Sequence, residues 1–497
     1  MGAALGERGG AHTFEQPPAL VSLLVQAPSS FPELLAAASE AARLAEHGAR
    51  GRGDEEGVLS LAVPLTPLDP LALLPELDPD PEDGFRFLWD GAPGLCLAAS
   101  GRCNSLELSG PRRFELAQRF SSLSLSRLAL GPVATPPLAR PRVLLAFAFF
   151  DSPMHPGGGA AGVQAVLPRW QLSRQGRHCW LRLQRTLGGE ATPRRLAEEL
   201  WETARRLEAC SRDADPDASP SLQASVVRAS RWQEGYRANL ARALELVERG
   251  ELRKLVLAVR QELCLDRQLD PLLMLNQLRA NQPGSCRFLW QRSAREALLG
   301  ASPERLLTVR QGQLRCDALA GTASRAAADT LLRSAKDRHE HELVVEAITT
   351  VLQQMQLGPR RPRHPRLARH GGLVHLHTPI TATLAGQGPL ALAGALHPTP
   401  AVAGLPRREA MGWLRSLEPF ERGNYAAPIG WIDTAGDTDL RVAIRSGMVR
   451  GDRLELTAGA GLVPASLPAR ELQEVALKLA VLPQQLNLLQ REHATAR

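Results

Sequence analysis

Cysteine is scarce and irregular in this chain. Seven are scattered over 497 residues, an odd number with no C-x-x-C pair. That spacing excludes a disulfide framework or a structural zinc ribbon and suits a reducing compartment, so a cytoplasmic protein is expected. Long apolar runs are also missing. The longest, Val143–Phe150, is far below the roughly 20 residues a bilayer span needs, and no membrane association is expected. Glu7, Arg8 and Glu15 precede the first apolar stretch, which is not the basic-then-apolar order of a secretory leader. No internal repeat is visible. Neither charge sign dominates: 59 Lys+Arg against 52 Asp+Glu leave +7 and a pI near 9.4. The balance suits anionic ligands without identifying one. What is present, 44% hydrophobic and 22% charged residues, is ordinary for a globular chain able to bury a large core.

The chain divides into two halves of different character. Residues 1–221 are broken repeatedly by Pro, Gly and Asp, as in TPLDPLALLPELDPDPEDG. Short β-like runs lie between the breaks, at Ala19–Gln26, at Val143–Phe150 and in LPRWQL around Trp170. The polar SRDADPDASPS, Ser211–Ser221, reads as a linker. Residues 222–490 carry longer periodic elements. Trp232, Tyr236, Leu240, Ala243, Leu244 and Val247 mark an amphipathic helix that Gly250 would end. The strand LRKLVLAVR follows, with further strands at Arg287–Trp290 and Ala297–Leu299, and TVRQGQLRC reads as a hairpin turning at Gln311-Gly312. A second long helix is expected over Thr330–Met355. Five arginines between Leu357 and Gly372 make a basic loop, but no aromatics interleave, so a solvated loop is favoured over nucleic-acid binding. GGGAAG at Gly157–Gly162 lacks the spacing and lysine of a phosphate loop.

Several polar residues sit awkwardly in apolar patterns. The strand period places Lys254 on a face with Leu252, Val256 and Ala258. Such a lysine either snorkels or is desolvated, and a desolvated one could serve as a general base. The buried stripe Leu343, Val344, Ala347, Ile348, Val351, Leu352 extends back one turn to Glu340, with Lys336 one turn earlier. Farther on, Glu471, Glu474 and Lys478 share a helix face just after the Gly459-Ala460-Gly461 turn. Glu340 and Glu474 could supply oxygens to one Mg²⁺. Alternatively they form the ion pairs Lys336–Glu340 and Glu474–Lys478. Glu304 follows a Gly-Ala-Ser-Pro turn and could project into a cleft, or else satisfy the first turn of a helix. LAGTASR and TAGAGLV hold small residues whose amides could cradle a carboxylate, although tight turns explain them equally. His375 and His377 share a strand face without a third ligand at zinc spacing, and His339 and His341 point apart on a helix.

Across Trp232–Leu482 the ordered series KLVLAVR, LLGASPERLL, DALAGTASR, KDRHEHELVVEAI, VHLHTPI, ALHPTPAVAGLPRREA, EPFERGNYAAPIGWID, RVAIRSGMV and AGAGLVPASLPARELQEVALK resembles the motif set of the chorismate-utilising enzymes, nearest to their isochorismate synthase branch. The first half matches mainly through AFAFFD and LPRWQLSR. The resemblance implies an α+β fold of two antiparallel-rich sheets stacked face to face and flanked by helices. It implies a Mg²⁺-dependent isomerisation of chorismate, with water added at C2 as the C4 hydroxyl leaves. Lys254 stands at the family's base position and Glu304 at its acid position. Glu340 and Glu474 match the Mg²⁺ ligands, and Lys478 adds positive charge beside them. Tyr425 and Arg445 match the residues that bind the enolpyruvyl carboxylate. Gly321, Thr322 and Gly459 fall in the carboxylate cradles, and His375 lines the ring pocket.

Relatives that add ammonia fit less well. Lys254 is present, Ala320 stands where aminodeoxychorismate synthases carry lysine, and LHPTPAV occurs at Leu396–Val402. No glutamine amidotransferase subunit is therefore expected, and the chain is expected to act as a monomer. A quinone-pathway role is preferred on the long first half, with salicylate synthase and a siderophore pathway as alternatives. Val259, Ala403 and Ala427 depart from the family pattern beside the proposed groups.

Overall fold

Alternation of apolar residues along the strands explains how this chain builds its core. In the computed structural model, residues 28–490 are described except 53–56, 80–83, 92–93, 131–134, 155–159, 189–190 and 214–223. The β-like run Ala19–Gln26, most of the Ser211–Ser221 linker and Gly157–Gly159 lie outside the described residues; Ser211–Asp213 end a helix, Pro193–Asp213.

The architecture pivots on one long strand, Val163–Gln175. Along one edge it pairs with Cys96–Leu108, and along the other with Arg142–Phe147 and then His178–Thr186. Two wings leave from it. The first continues from Cys96–Leu108 through Arg86–Asp90, Cys286–Ser293, Glu296–Ser302, Ser446–Arg450 and Arg453–Leu462 to Lys254–Leu265. The second runs from Arg142–Phe147 through Pro428–Asp433, Thr438–Val442, Arg305–Arg310 and Gln313–Ser324 to Leu373–Thr383. Every pairing along both wings is antiparallel. The stacked sheets are thus continuous, joined into one hydrogen-bonded network where they share the long strand. Strands from residues before 222 pair with strands after it in both wings.

The wings face each other across an aromatic layer. Phe87, Trp89, Phe288 and Trp290 from the first meet Leu144, Ala146, Ile429 and Trp431 from the second. Each set recurs at every second residue, the period that sends side chains to one face of a strand. Phe87 and Trp290 pack edge to face with centroids 5.9 Å apart. Burying one such side chain stabilises by roughly 1.5–3 kcal/mol, enough in sum to fix the separation of the wings.

Local signals place the remaining elements. Gln311 and Gly312 both have positive φ, 49° and 75°, so the expected hairpin closes through the turn that matches strand twist. The helix from Trp232 is found at Gln233–Glu248, and Gly250 follows at φ 74°. The single helix expected over Thr330–Met355 is two, Ala328–Arg333 and Ala335–Gln354. Ser334 separates them because its hydroxyl accepts from Asp337 N at 3.2 Å, capping the second helix. The arginine-rich stretch is not all loop: Arg366–His370 adds a strand beside Leu373–Thr383.

A buried ion pair ties the EPFERG segment to the strand that begins at Lys254. Glu418 accepts from Ala258 N at 2.8 Å and pairs with Arg422 at 2.5 Å. Arg422 also donates to the carbonyls of Val256 and Val402, each at 2.7 Å. Both side chains are almost fully buried. Removing one partner would strand the other charge, which typically costs about 3–5 kcal/mol. Arg422→Met is therefore expected to lower the urea midpoint by that equivalent, and an unchanged midpoint would contradict the clamp.

Candidate active site

The far ends of the two wings close on one cavity of about 850 Å³ of free space, counting its open mouth. That is room for a small ring compound. Of the eleven residues singled out from sequence, ten line it: Glu304, Gly321, Thr322, Glu340, His375, Tyr425, Arg445, Gly459, Glu474 and Lys478. The eleventh, Lys254, lies just behind the wall. Its Cε stands 3.1 Å from where a Cβ on Gly461 would be, and Gly461 does line the cavity.

Lys254 opens its strand and is completely buried. It does not snorkel. Its ammonium lies 2.9 Å from Glu340 Oε1, an ion-pair distance outside hydrogen-bond geometry. Burial pushes the Glu340 carboxyl up, but Lys254, Lys336 and Lys478 together outweigh it and hold the group below the usual carboxylate range. The ion pair weighed for Glu340 as the alternative to Mg²⁺ was with Lys336, one turn back. Lys336 instead crosses to Glu471, 2.5 Å away on helix Pro468–Gln485. Glu471 is fully buried, and its other oxygen has no hydrogen-bond partner. Helical spacing offered the neighbour; the packing of two helices supplied a better one.

Glu474 and Lys478 do pair, at 2.7 Å, and the Lys478 ammonium also donates to Gly459 O at 2.8 Å. Glu304 is not in a helix. It sits between strands Glu296–Ser302 and Arg305–Arg310, with Ser302 Oγ accepting from its N–H and Val442 N donating to its carbonyl. Burial raises its carboxyl to about 8, against the opposing charges of Lys254, Lys478 and Arg445. A carboxylic acid that keeps its proton near neutrality can donate it.

Arg445 adopts φ 50°, a left-handed backbone rare for a side chain of its size. Its guanidinium donates to His375 Nε2 and to His370 O. Gly321, at φ 72°, is the extra residue where strand Gln313–Ser324 shifts register against Leu373–Thr383. His377 turns away to Asp317 at 3.1 Å, His341 is buried against Thr378, and His339 is exposed. Val259, Ala403 and Ala427 are all buried.

The sequence reading passed over Gly461. A Cβ there would stand 2.3 Å from Glu340 Oε1, so only glycine lets the Lys254–Glu340 pair reach the cavity. Gly459-Ala460-Gly461, read from sequence as a turn, lies inside strand Arg453–Leu462; the second glycine of TAGAG was the available signal.

Among the described residues no three His, Cys, Asp or Glu side chains gather at metal spacing. Two carboxylates from separate helices do share the wall, Glu340 and Glu474. Mg²⁺ usually takes one or two protein carboxylates and completes its shell with water and substrate, so this donor set fits it.

Residues 42–487 match the model of the chorismate binding enzymes. The chain is 34% identical over 452 residues to the salicylate biosynthesis isochorismate synthase of Pseudomonas aeruginosa, covering 88% of this chain and 91% of that protein. It is 35% identical over 293 residues to isochorismate synthase EntC of Escherichia coli K12, covering 57% and 75%. MenF, the menaquinone-specific isochorismate synthase from Escherichia coli, superposes with a TM-score of 0.70 at 26% identity over 90% of this chain and 99% of MenF.

The buried acid gives a prediction independent of any ligand. Followed by carboxyl-region infrared or NMR titration, Glu304 is expected to ionise near pH 8; a value near 4.5 would contradict its environment. Because the folded chain holds this proton above the range where the unfolded chain releases it, the Glu304 contribution to stability falls as pH rises from about 4.5 to about 8. Gly461→Ala is expected to force Glu340 away from Lys254 and to cost about 1–3 kcal/mol, the usual range for overpacking. Denaturant unfolding checks it, and a neutral substitution would contradict the crowding.

Proposed function

The chain belongs to the chorismate-binding enzyme family, and from that premise we propose that it is an isochorismate synthase. The observation that carries the reading is the buried Glu304, its carboxyl pushed up to about 8 by burial, on the wall of the cavity behind which Lys254 and Glu340 are paired.

The reaction exchanges one hydroxyl for another. A water oxygen bonds to C2 of chorismate, both ring double bonds shift (C1=C2 to C1=C6 and C5=C6 to C4=C5), and the C4–oxygen bond breaks. Glu304 gives its proton to the departing oxygen, so that it leaves as water. To act as base, Lys254 must first release the proton it carries in the ion pair; as the free amine it takes a proton from the incoming water, and the ammonium so restored is stabilised by Glu340 2.9 Å away. Acid and base end with exchanged protonation states, and no redox partner is needed. Arg445 suits the two-pronged binding of a carboxylate, with Tyr425 beside it on the wall. Lys478, tied to Glu474 and Gly459, supplies fixed positive charge. Glu340 and Glu474 would hold Mg²⁺, which when bound neutralises the ring carboxylate and anchors it. Dense burial around Glu304 keeps bulk water from ionising it.

The product is the proposal here. The long first half, read from sequence as a mark of the quinone branch, is shared with the Pseudomonas relative over 88% of this chain, so it does not by itself assign a pathway. Menaquinone synthesis stays as the preferred destination on the likeness to MenF.

Purified protein incubated with chorismate and Mg²⁺, with products resolved by chromatography, tests the reading. Isochorismate is expected; salicylate with pyruvate would move the chain to a salicylate synthase, and no consumption would overturn the assignment. Lys254→Ala and Glu304→Ala should each lower turnover at least 10²-fold, the usual worth of a positioned acid or base. Near-normal rates in either would remove that residue from the chemistry. Turnover of the wild type should fall as pH rises through about 8, where Glu304 loses its proton. EDTA should stop the reaction, and unaffected turnover would refute the metal ligands.

A further inference from the structure

The imidazole of His375 is almost fully buried and has both nitrogens engaged. Its Nε2 meets the Arg445 guanidinium. Guanidinium N–H groups only donate, so Nε2 must offer its lone pair. In a neutral ring the proton is then on Nδ1, which lies 3.1 Å from Gly321 O and 3.1 Å from Thr322 Oγ1. One tautomer satisfies every contact.

Each contact reaches a group with little else to fix it. Gly321 is the extra residue of the bulge, so its carbonyl lies outside the regular ladder and turns to His375 instead. In a trans peptide the C=O and the following N–H point opposite ways. Holding the Gly321 carbonyl on the ring therefore fixes the direction of the Thr322 N–H. Arg445 stands on a left-handed residue, and its other contact is a 3.4 Å hydrogen bond to His370 O. A long side chain on such a backbone keeps one direction only if its far end is held.

We propose that His375 is a positioning residue that, as the neutral Nδ1–H imidazole, aims the Arg445 guanidinium and the Gly321–Thr322 peptide together at the carboxylate groups of the substrate. It does not give or take a proton. The inference rests on the reading that the cavity holds a carboxylated ring. Burial and the neighbouring Arg445 charge, which both push the ring well below the usual histidine range, keep it neutral at working pH.

Three variants separate the two contacts. In His375→Gln the amide oxygen falls near the Nε2 position and can still accept from Arg445. In His375→Asn the amide nitrogen falls near Nδ1 and can still donate to Gly321. His375→Phe keeps the ring and loses both. Steady-state kinetics with chorismate should show KM raised about tenfold or more for Phe, with a smaller change in kcat, and Gln recovering most of the loss. A collapse of kcat at unchanged KM, equal in all three, would overturn the proposal and make the ring a direct participant. In the unliganded wild type, ¹⁵N-histidine NMR at pH 7.5 should show the His375 signal, identified by its loss in His375→Gln, with Nδ1 protonated and Nε2 bare. The opposite tautomer or an imidazolium would also overturn it. That spectrum needs no substrate: the expected tautomer in a protein that leaves chorismate untouched would refute the proposed function and keep the positioning role.

Discussion

A fully buried lysine facing a buried glutamate is the constraint around which this molecule is arranged. Two charges taken out of water cost several kcal/mol each unless each answers the other. Lys254 and Glu340 do so at 2.9 Å, and they come from opposite parts of the structure, a strand end of one wing and the helix Ala335–Gln354. Their meeting requires the two elements to approach across the bare backbone of Gly461. It also requires the strand to be held in register, which the Glu418–Arg422 clamp does from behind. The pair is thus a device for placing an amine at the edge of a cavity.

Helices Ala335–Gln354 and Pro468–Gln485 extend the charge arrangement. Lys336 with Glu471 and Lys478 with Glu474 alternate cation and anion along the interface, so no carboxylate at this wall lacks a nearby lysine. Glu304 is the exception. It is buried on the cavity wall without a paired cation, which is why it holds its proton. Two carboxyls of one cavity, Glu304 and Glu340, are pushed in opposite directions by their surroundings, which is how one site can offer an acid beside an anion.

Much of this was legible in the sequence, and the reasons are particular. Glu340 stood out because the apolar stripe of its helix, continued backward, ended on a carboxylate. Lys254 stood out because strand alternation placed an ammonium among Val and Ala. The hairpin at Gln311-Gly312 and the stop at Gly250 followed from backbone angles that few residues tolerate. Partners across space were less accessible. Helical spacing suggested Glu474–Lys478, which forms, and Lys336–Glu340, which does not: Lys336 pairs with Glu471 and Glu340 with Lys254, each across elements far apart in the chain. Ser334 broke an apparently continuous helix because its hydroxyl caps better than it propagates. Gly461 showed only as the second glycine of TAGAG, and its role could not be read from that, since it is the absence of a side chain opposite a residue 121 positions earlier.

The central claim is that acid and base act together on an external water while the original C4 oxygen departs. Turnover of chorismate in ¹⁸O-enriched water, with the product analysed by mass spectrometry, addresses it most directly. The account predicts isochorismate carrying one solvent oxygen at C2 and none of the substrate's C4 hydroxyl oxygen. Product that keeps its original hydroxyl oxygen would show a transfer within the substrate and contradict the roles given to Lys254 and Glu304.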